Sequence, residues 1–250
     1  MSRLCLLPLG VGDAFSARYY SSCLGLQSGG FWLLIDCPHP IRKMMAEASA
    51  ATGMSLDVDQ TAGIVLTHLH ADHCSGLEGL GFYARFVLGR RMKLLAHPEV
   101  SSALWDGHLA AGMKWAVLER GQPPSQRSLE DFFELIALSE TQPVQLGPFA
   151  IECRRSVHSI PATAVRIRAG GCSVGYSADT AFEPALLEWL AEADLIIHET
   201  SPGLFHTPYD RLVELPALLR NKMRLIHYPD AFDTETSVFE PLRQGRCYAV

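Results

Sequence analysis

The sequence predicts an α/β chain in which two sheets pack face to face and carry helices on their outer sides. Short apolar runs bounded by Gly, Pro or Asp recur along the 250 residues, and segments with helical spacing lie between them. The runs fall into two halves of similar size, each ending in strand–helix units. A single doubly wound sheet would alternate strand and helix throughout, so the two-half pattern favours a sandwich. One domain spanning 1–250 is large enough to bury such a core.

Taken in order, the first half offers RLCLLPL (3–9), SSCLGLQ (21–27), FWLLIDC (31–37), GIVLTHL (63–69) and MKLLAH (92–97), each of strand length. Helices are expected across 40–51 and from near Asp72. Residues 101–142 break this rhythm, with Trp105, Trp115, Phe132 and Phe133 around a RGQPPSQRS loop. They read as a mostly helical insertion: a packed connection first, a cap over the active site or a dimer contact second. Trp105 and Trp115 are expected in the core rather than as a stacking platform. The second half offers FAIECRR (149–155), ATAVRIRA (162–169), CSVGYSAD (172–179), ADLIIHET (193–200) and MRLIHYP (223–229), with helices across 183–192 and 209–221.

Composition narrows the class. The chain is 48% hydrophobic and 19% charged, as ordinary globular proteins are. No apolar run is long enough for a membrane span, and the opening MSRLCLLPLGVGDAF reaches Gly10 and Asp13 too soon for a signal peptide, so a cytoplasmic protein is expected. Seven scattered cysteines without a CxxC point to reduced, buried thiols rather than a disulfide framework. A net charge of −6 disfavours a long nucleic acid as partner.

The chemistry begins at THLHADHCSGLEGL (67–80). GIVL has the character of a buried strand, and the histidines start where it ends. Residues two apart on an extended segment project to one side, so His68 and His70 can converge. Asp72 and His73 follow at what reads as a helix start, turned towards a second point nearby. A single ion takes about three or four protein ligands, and this stretch supplies four alone, so two metals are the economical reading.

The pattern HxHxDH resembles that of the metallo-β-lactamase superfamily of binuclear metallohydrolases. The resemblance continues through His158 in SVHSIP, Asp179 in VGYSADT and His227 in MRLIHYP, and through Asp36 in LLIDC, where the family has an acidic residue that helps hold the metal-binding loop. It covers most of the chain outside 101–142 and implies a four-layer αββα sandwich. It further implies that His68, His70 and His158 hold one metal, that Asp72, His73 and His227 hold the other, and that Asp179 bridges them. Imidazole and carboxylate donors suit two divalent ions, Zn²⁺ foremost, with Mn²⁺ or Fe²⁺ compatible with the same set. Cys74 follows His73 and is expected to face elsewhere.

Two such ions share a bridging hydroxide and clamp the oxygens of a displacement, which makes hydrolysis the implied reaction class. The segment DLIIHETSPGLFHTPYD resembles the ribonuclease Z branch, with its HEAT and HST motifs. The resemblance makes Glu199 and His206 assistants to the leaving oxygen, with His198 an orienting neighbour and Asp72, Glu199 and His206 the candidate catalytic residues. Alanine is missing from HEAT here, and Glu199 lies unusually close to His206. Only 20 residues separate His158 from Asp179, room for a hairpin but not for the arm with which the transfer-RNA-processing enzymes grip RNA. A small or cyclic phosphodiester is therefore the expected substrate, as for the cyclic nucleotide and phosphoribosyl cyclic phosphate phosphodiesterases of the branch. A homodimer is also implied, and no membrane partner.

Other features carry less. Gly10 and Gly12 precede Asp13, but Phe15 stands where a dinucleotide fingerprint needs a third glycine. Arg18 is read as structural first and as a phosphate contact second, and His39, His97 and His108 as structural. Two alternatives remain open: a thioesterase or lactonase on the same metal centre, and a non-catalytic metal-binding scaffold.

Overall fold

The structure is a computed structural model that describes residues 4–117 and 120–250; Arg3 of the first expected strand, and 118–119 of the expected insertion, lie outside the described residues. The first half forms β1 (Cys5–Gly10), β2 (Cys23–Ser28), β3 (Phe31–Ile35), α1 (Ile41–Thr52), β4 (Thr61–Leu66), α2 (Ala71–Cys74), α3 (Leu77–Phe86) and β5 (Met92–Ala96). Then come α4 (Pro98–Ser101), a π-helical turn (Trp105–Leu109), α5 (Ala110–Met113), the small hairpin β6 (Trp115–Ala116) and β7 (Ser125–Gln126), and β8 (Phe133–Ala137). The second half forms β9 (Val144–Leu146), β10 (Phe149–Ser156), β11 (Ala162–Ala169), β12 (Cys172–Tyr176), α6 (Pro184–Leu190), β13 (Leu195–Glu199), α7 (Tyr209–Val213), α8 (Ala217–Asn221) and β14 (Met223–Ile226), with β15 (Glu240–Pro241) and β16 (Tyr248–Ala249) closing the chain.

Two seven-stranded sheets result, ordered β16-β1-β2-β3-β4-β5-β8 and β15-β14-β13-β12-β11-β10-β9. Each is antiparallel at one end and parallel at the other, with the change at β3 in the first sheet and β12 in the second. Strand periodicity decides the layers. Leu33 and Ile35 point into the inter-sheet core with Ile151, Val165 and Ile197, while Trp32 and Leu34 point out beneath Met44, Met45 and Leu80 of α1 and α3. In the second sheet Ile196 and Leu225 turn outward against Leu186, Leu187 and Leu190 of α6. Strands buried on both faces read as continuous apolar runs, and the outcome is the expected four-layer αββα sandwich. Among the described residues no helix is long and apolar enough to cross a membrane.

Five expectations need correction. The insertion is α-helical only to Met113; beyond it come a 3-10 turn at Leu129–Asp131 and β8, an integral strand that pairs in parallel with β5 and buries Phe133. Trp105 packs on Phe132, but Trp115 is 63% exposed rather than in the core. The single helix expected over 209–221 is two, because Pro216 lacks the N–H that would carry the first helix onward. The helix near Asp72 is likewise split: at Gly76 a side chain would come within 2.6 Å of the Pro38 carbonyl oxygen, so only glycine lets α2 and the β3–α1 loop approach. Cys5 and Cys247 are joined by a disulfide, their Cα atoms 6.5 Å apart, where reduced thiols were expected throughout. Their separation along the chain hides the pair from the sequence; the pairing of β1 with β16 creates it.

Candidate metal centre

The chain leaves β4 at Leu66 with nowhere further to pair, and the next seven residues wrap over the sheet end into α2. Three other segments reach the same place: the β10–β11 loop with His158, the end of β12 with Asp179, and the end of β14 with His227. Their donor atoms form two groups. His68, His70, His158 and Asp179 make one, and Asp72, His73, His227 and Asp179 the other, with all ligand atoms in each group within 4.8 Å of one another. Asp179 belongs to both. Its carboxylate lies 3.3 Å from His73 Nε2, 3.4 Å from His227 Nε2 and 3.7 Å from His68 Nε2.

The imidazoles are anchored from behind. His73 Nδ1–H donates to Asp36 at 2.8 Å, His158 Nδ1–H to the Phe205 carbonyl at 3.0 Å. Ser22 and Thr67 spend their own hydroxyl protons on the Gly12 carbonyl and Asp36, so each oxygen accepts, from His227 Nδ1 at 3.1 Å and from His68 Nδ1 at 3.0 Å. For His68, His73 and His227 this leaves Nε2 free towards the centre, as metal-ligating histidines require, while His158 Nε2 lies 3.0 Å from His70 Nδ1. Asp36, fully buried and left-handed at φ 65°, also accepts from the Thr67 N–H at 2.8 Å, tying the HxH segment to β3. Left-handed backbone recurs at Ala178 (φ 50°) and His227 (φ 56°), so three of the turns that aim this site are held in a conformation side chains disfavour.

The residues fit a pair of cations. His68 Nε2, Asp72 Oδ2, His73 Nε2 and Asp179 Oδ1 are all buried without a hydrogen-bond partner, and buried polar atoms are otherwise satisfied in folded proteins. Burial holds His68, His158 and His227 below the usual histidine range, in the neutral form that ligates. Burial also opposes a charge on His73, but Asp179 and Asp36 outweigh it and push that group well up. Two carboxylates thus call for positive charge at that point. Asp72 and Asp179 stay ionised below the ordinary carboxylate range: burial resists, but His73 and His227 prevail.

Glu199, at the end of β13, is fully buried. Its Oε1 accepts from the Thr180 N–H at 2.9 Å, the Thr207 N–H at 3.3 Å and His206 Nδ1–H at 3.0 Å. The carboxyl therefore clamps the Asp179 turn to the 200–208 loop and holds the His206 ring. His206 Nδ1 is 4.0 Å from Asp179, with its ring 5.3 Å from that of His158 and 5.5 Å from that of His227. It is the one imidazole over the centre that belongs to neither donor group.

The remaining candidates lie outside the cluster. His198 is buried, donates to the Glu199 carbonyl at 2.8 Å and is pushed down to about 4 by burial. Cys74 turns away, donating to the Leu69 carbonyl at 3.3 Å with His108 Nε2 3.4 Å behind it. Arg18 donates to the Asp230 carbonyl and fastens its own loop. His97 caps α4. Between His158 and Asp179 stands only the β11–β12 hairpin, turned at Gly170 and Gly171. A groove of about 670 Å³ with Arg154, Arg155 and Glu183 along it opens beside His158. Ser22, Thr67 and the Phe205 carbonyl are functional neighbours the sequence reading missed; Thr67, immediately before the HxH, carried the one local signal.

Comparison with known proteins places this geometry. Residues 4–247 match the family described as Anti-Pycsar protein Apyc1. A protein of that name from Paenibacillus sp. (strain J14) is 32% identical over 257 residues, covering 99% of each chain. Another, from Saccharibacillus brassicae, is 31% identical over 252 residues, covering 97% of this chain and 98% of its own. Among solved structures, the metallo-β-lactamase fold protein YhfI from Bacillus subtilis aligns with TM-score 0.75 at 19% identity, over 98% of this chain and 99% of that one. The short form of human tRNase Z aligns with TM-score 0.69 at 18% identity, over 98% of both. The fold is thus the metallo-β-lactamase fold, shared with the short form of human tRNase Z.

Proposed function

The chain belongs to the Anti-Pycsar protein Apyc1 family, and from that premise we propose that it is a metal-dependent phosphodiesterase acting on a small or cyclic phosphodiester. The observation that carries the reading is the position of Asp179, shared by two donor groups and overlooked by the His206–Glu199 pair. In this reading His68, His70 and His158 hold one cation, Asp72, His73 and His227 a second, with Asp179 common to both; zinc suits the donors best. Two cations so held would lower the pKa of water and neutralise charge on the phosphoryl oxygens.

The protein's own groups do the rest. Asp72 and Asp179, kept ionised, fix the charge balance of the site. Water adds its oxygen to phosphorus and releases a proton to solvent, and the ester P–O bond breaks with its electron pair on the leaving oxygen. That oxygen needs a proton, which His206 is placed to give from Nε2 while Nδ1 stays on Glu199. The short hairpin between His158 and Asp179, in place of an arm, supports a small substrate over a long nucleic acid. A cytoplasmic location and a homodimer remain parts of the proposal.

The test is to assay metal-loaded protein on nucleoside cyclic phosphates and bis-p-nitrophenyl phosphate beside a panel of thioesters and lactones. Diester turnover with metal content near two per chain is the expected result. Turnover of a thioester or lactone alone would sink the phosphodiesterase reading, and full metal content with no turnover of any ester would make the protein a scaffold.

A further inference from the structure

The outer helical layer of the second sheet is incompletely filled. Between α6 and α8 lies a trough of about 480 Å³. One wall carries Pro184, Leu187, Glu188 and Ala191 on α6 and its C-terminal end, the other Leu215, Leu218, Leu219 and Lys222 along α8 and its flanks. Both sets keep the i, i+3, i+4, i+7 spacing of one helix face, so two mainly apolar stripes are turned towards a shared space. Leu218 on its border is 84% exposed, and leucine gains by burial, so an occupant would cover apolar surface there.

Lys222 gives the trough a polarity. Its ammonium donates to the Ala191 and Ala193 carbonyls at 3.3 and 3.2 Å, tying the C-terminal ends of the two walls together. An ammonium has three donors, so one N–H remains. Among the described residues no carboxylate pairs with it, Glu188 on the facing wall included. An occupant complementary to this space is apolar along its body and anionic at the end near Lys222. Pro184 to Ala191 covers about 10 Å at about 1.5 Å per residue, which sets a medium length for that body. The volume lies in the range of small-molecule sites. The place is also separate from the metal centre, because Lys222 stands before β14 and His227 follows the other end of that strand.

We propose that this trough is a binding site for a medium-chain fatty-acid anion, with the alkyl chain between the α6 and α8 stripes and the carboxylate on Lys222. An unbranched chain follows the line between the stripes and asks for no hydrogen bond from the leucines that border it.

The test is calorimetry on metal-loaded protein, titrated with hexanoate, octanoate and decanoate below their micelle concentrations, and with octanol and octylammonium as uncharged and cationic probes. One fatty-acid anion should bind per chain, about fourfold tighter for each added methylene, with octanoate ahead of octanol and octylammonium weakest. Ala191→Trp, which fills the trough, should weaken octanoate at least about tenfold. Lys222→Met should weaken octanoate about two- to fivefold and leave octanol unchanged, while Glu188→Gln should tighten octanoate by a similar factor. Glu188 is exposed, so its substitution keeps the head-group test decisive if Lys222→Met loosens the fold. Absence of saturable binding by wild type overturns the assignment, as do equal affinities for octanoate and octylammonium, or an Ala191→Trp variant that binds like wild type. Should light scattering show a wild-type dimer that Ala191→Trp splits, a second copy covers the trough and the assignment falls.

Discussion

Glu199 Oε1 lies 3.0 Å from His206 Nδ1, so a fully buried carboxyl holds a half-buried imidazole whose other nitrogen carries no protein hydrogen bond among the described residues. Burial pushes Glu199 up to about 8, against the pull of His206. Burial lowers His206, but the bond and charge of Glu199 outweigh it and raise it. The pair therefore keeps a proton at neutral pH. Because the Glu199 value is raised on folding, its contribution to stability is whole below the ordinary carboxyl range and is lost as pH climbs through about 8.

The first prediction concerns that proton. On a diester with an alkoxide leaving group, kcat should fall on the alkaline side, as His206, raised by the bond and charge of Glu199, gives up its proton. His206→Ala should lower kcat by about 10²- to 10⁴-fold and abolish this alkaline fall. With p-nitrophenolate leaving, which needs little protonation, the same variant should lose less than about tenfold. Steady-state rates across pH on the two substrates decide it; equal losses on both would remove His206 from proton transfer.

Removal of metal should destabilise as well as inactivate. Four buried donor atoms have no other partner, so the stripped protein leaves them unsatisfied. A chelator should lower the Tm, and saturating Zn²⁺ should restore it with about 4 kcal/mol of stabilisation at a thousand-fold excess over Kd. His227→Ala should hold about one ion per chain and Asp179→Ala fewer, by elemental analysis. Two tightly held ions in Asp179→Ala would contradict the shared role.

Asp36→Asn tests the support behind the ligands. Asparagine tolerates the left-handed backbone of position 36 and keeps the shape, while removing the charge that orients His73 and takes the Thr67 protons. Metal affinity should drop about 10- to 100-fold, read by competition with a coloured chelator. Unchanged affinity would mean that the loop is held without it.

The last prediction lies away from the site. Arg166, on β11, is buried and bonded to Glu152 and Glu192. Burial resists ionisation of Glu152, but hydrogen bonds from Arg166 and Arg168 outweigh it and lower the carboxyl. A lowered carboxyl stabilises above its unfolded value and loses that contribution as pH falls through the folded one. Glu152→Gln should cost about 1–2 kcal/mol at pH 7, a Tm lower by about 3–6 °C, with the gap to wild type closing in acid. Scanning calorimetry at pH 7 and pH 3 checks both halves.

Much of the site was legible because half of it is local. His68, His70, Asp72 and His73 stand in one turn after an apolar strand, and strand periodicity alone explains the convergence of the first two. His158, Asp179 and His227 were findable only through order and strand-end context. The backing groups were not: Ser22 is a loop serine like others, and Phe205 contributes a carbonyl, which every residue has. At fold level, long runs buried on both faces declared the sheets. β8 did not, since only Phe133 of its side chains is buried and its pairing with β5 is a matter of distant backbone. That the Glu199 carboxyl lies behind His206 and never reaches open solvent is likewise visible only in three dimensions.

The two donor groups draw on both sheets, with the first four ligands following β4 and the others following β10, β12 and β14. Divalent cations held there would act as rivets across the rim where the sheets meet, and those rivets would come from outside the polypeptide. In a cell starved of divalent ions, the rim would open first and offer the strand ends to proteases. The lifetime of the protein would then track mineral supply together with its catalysis.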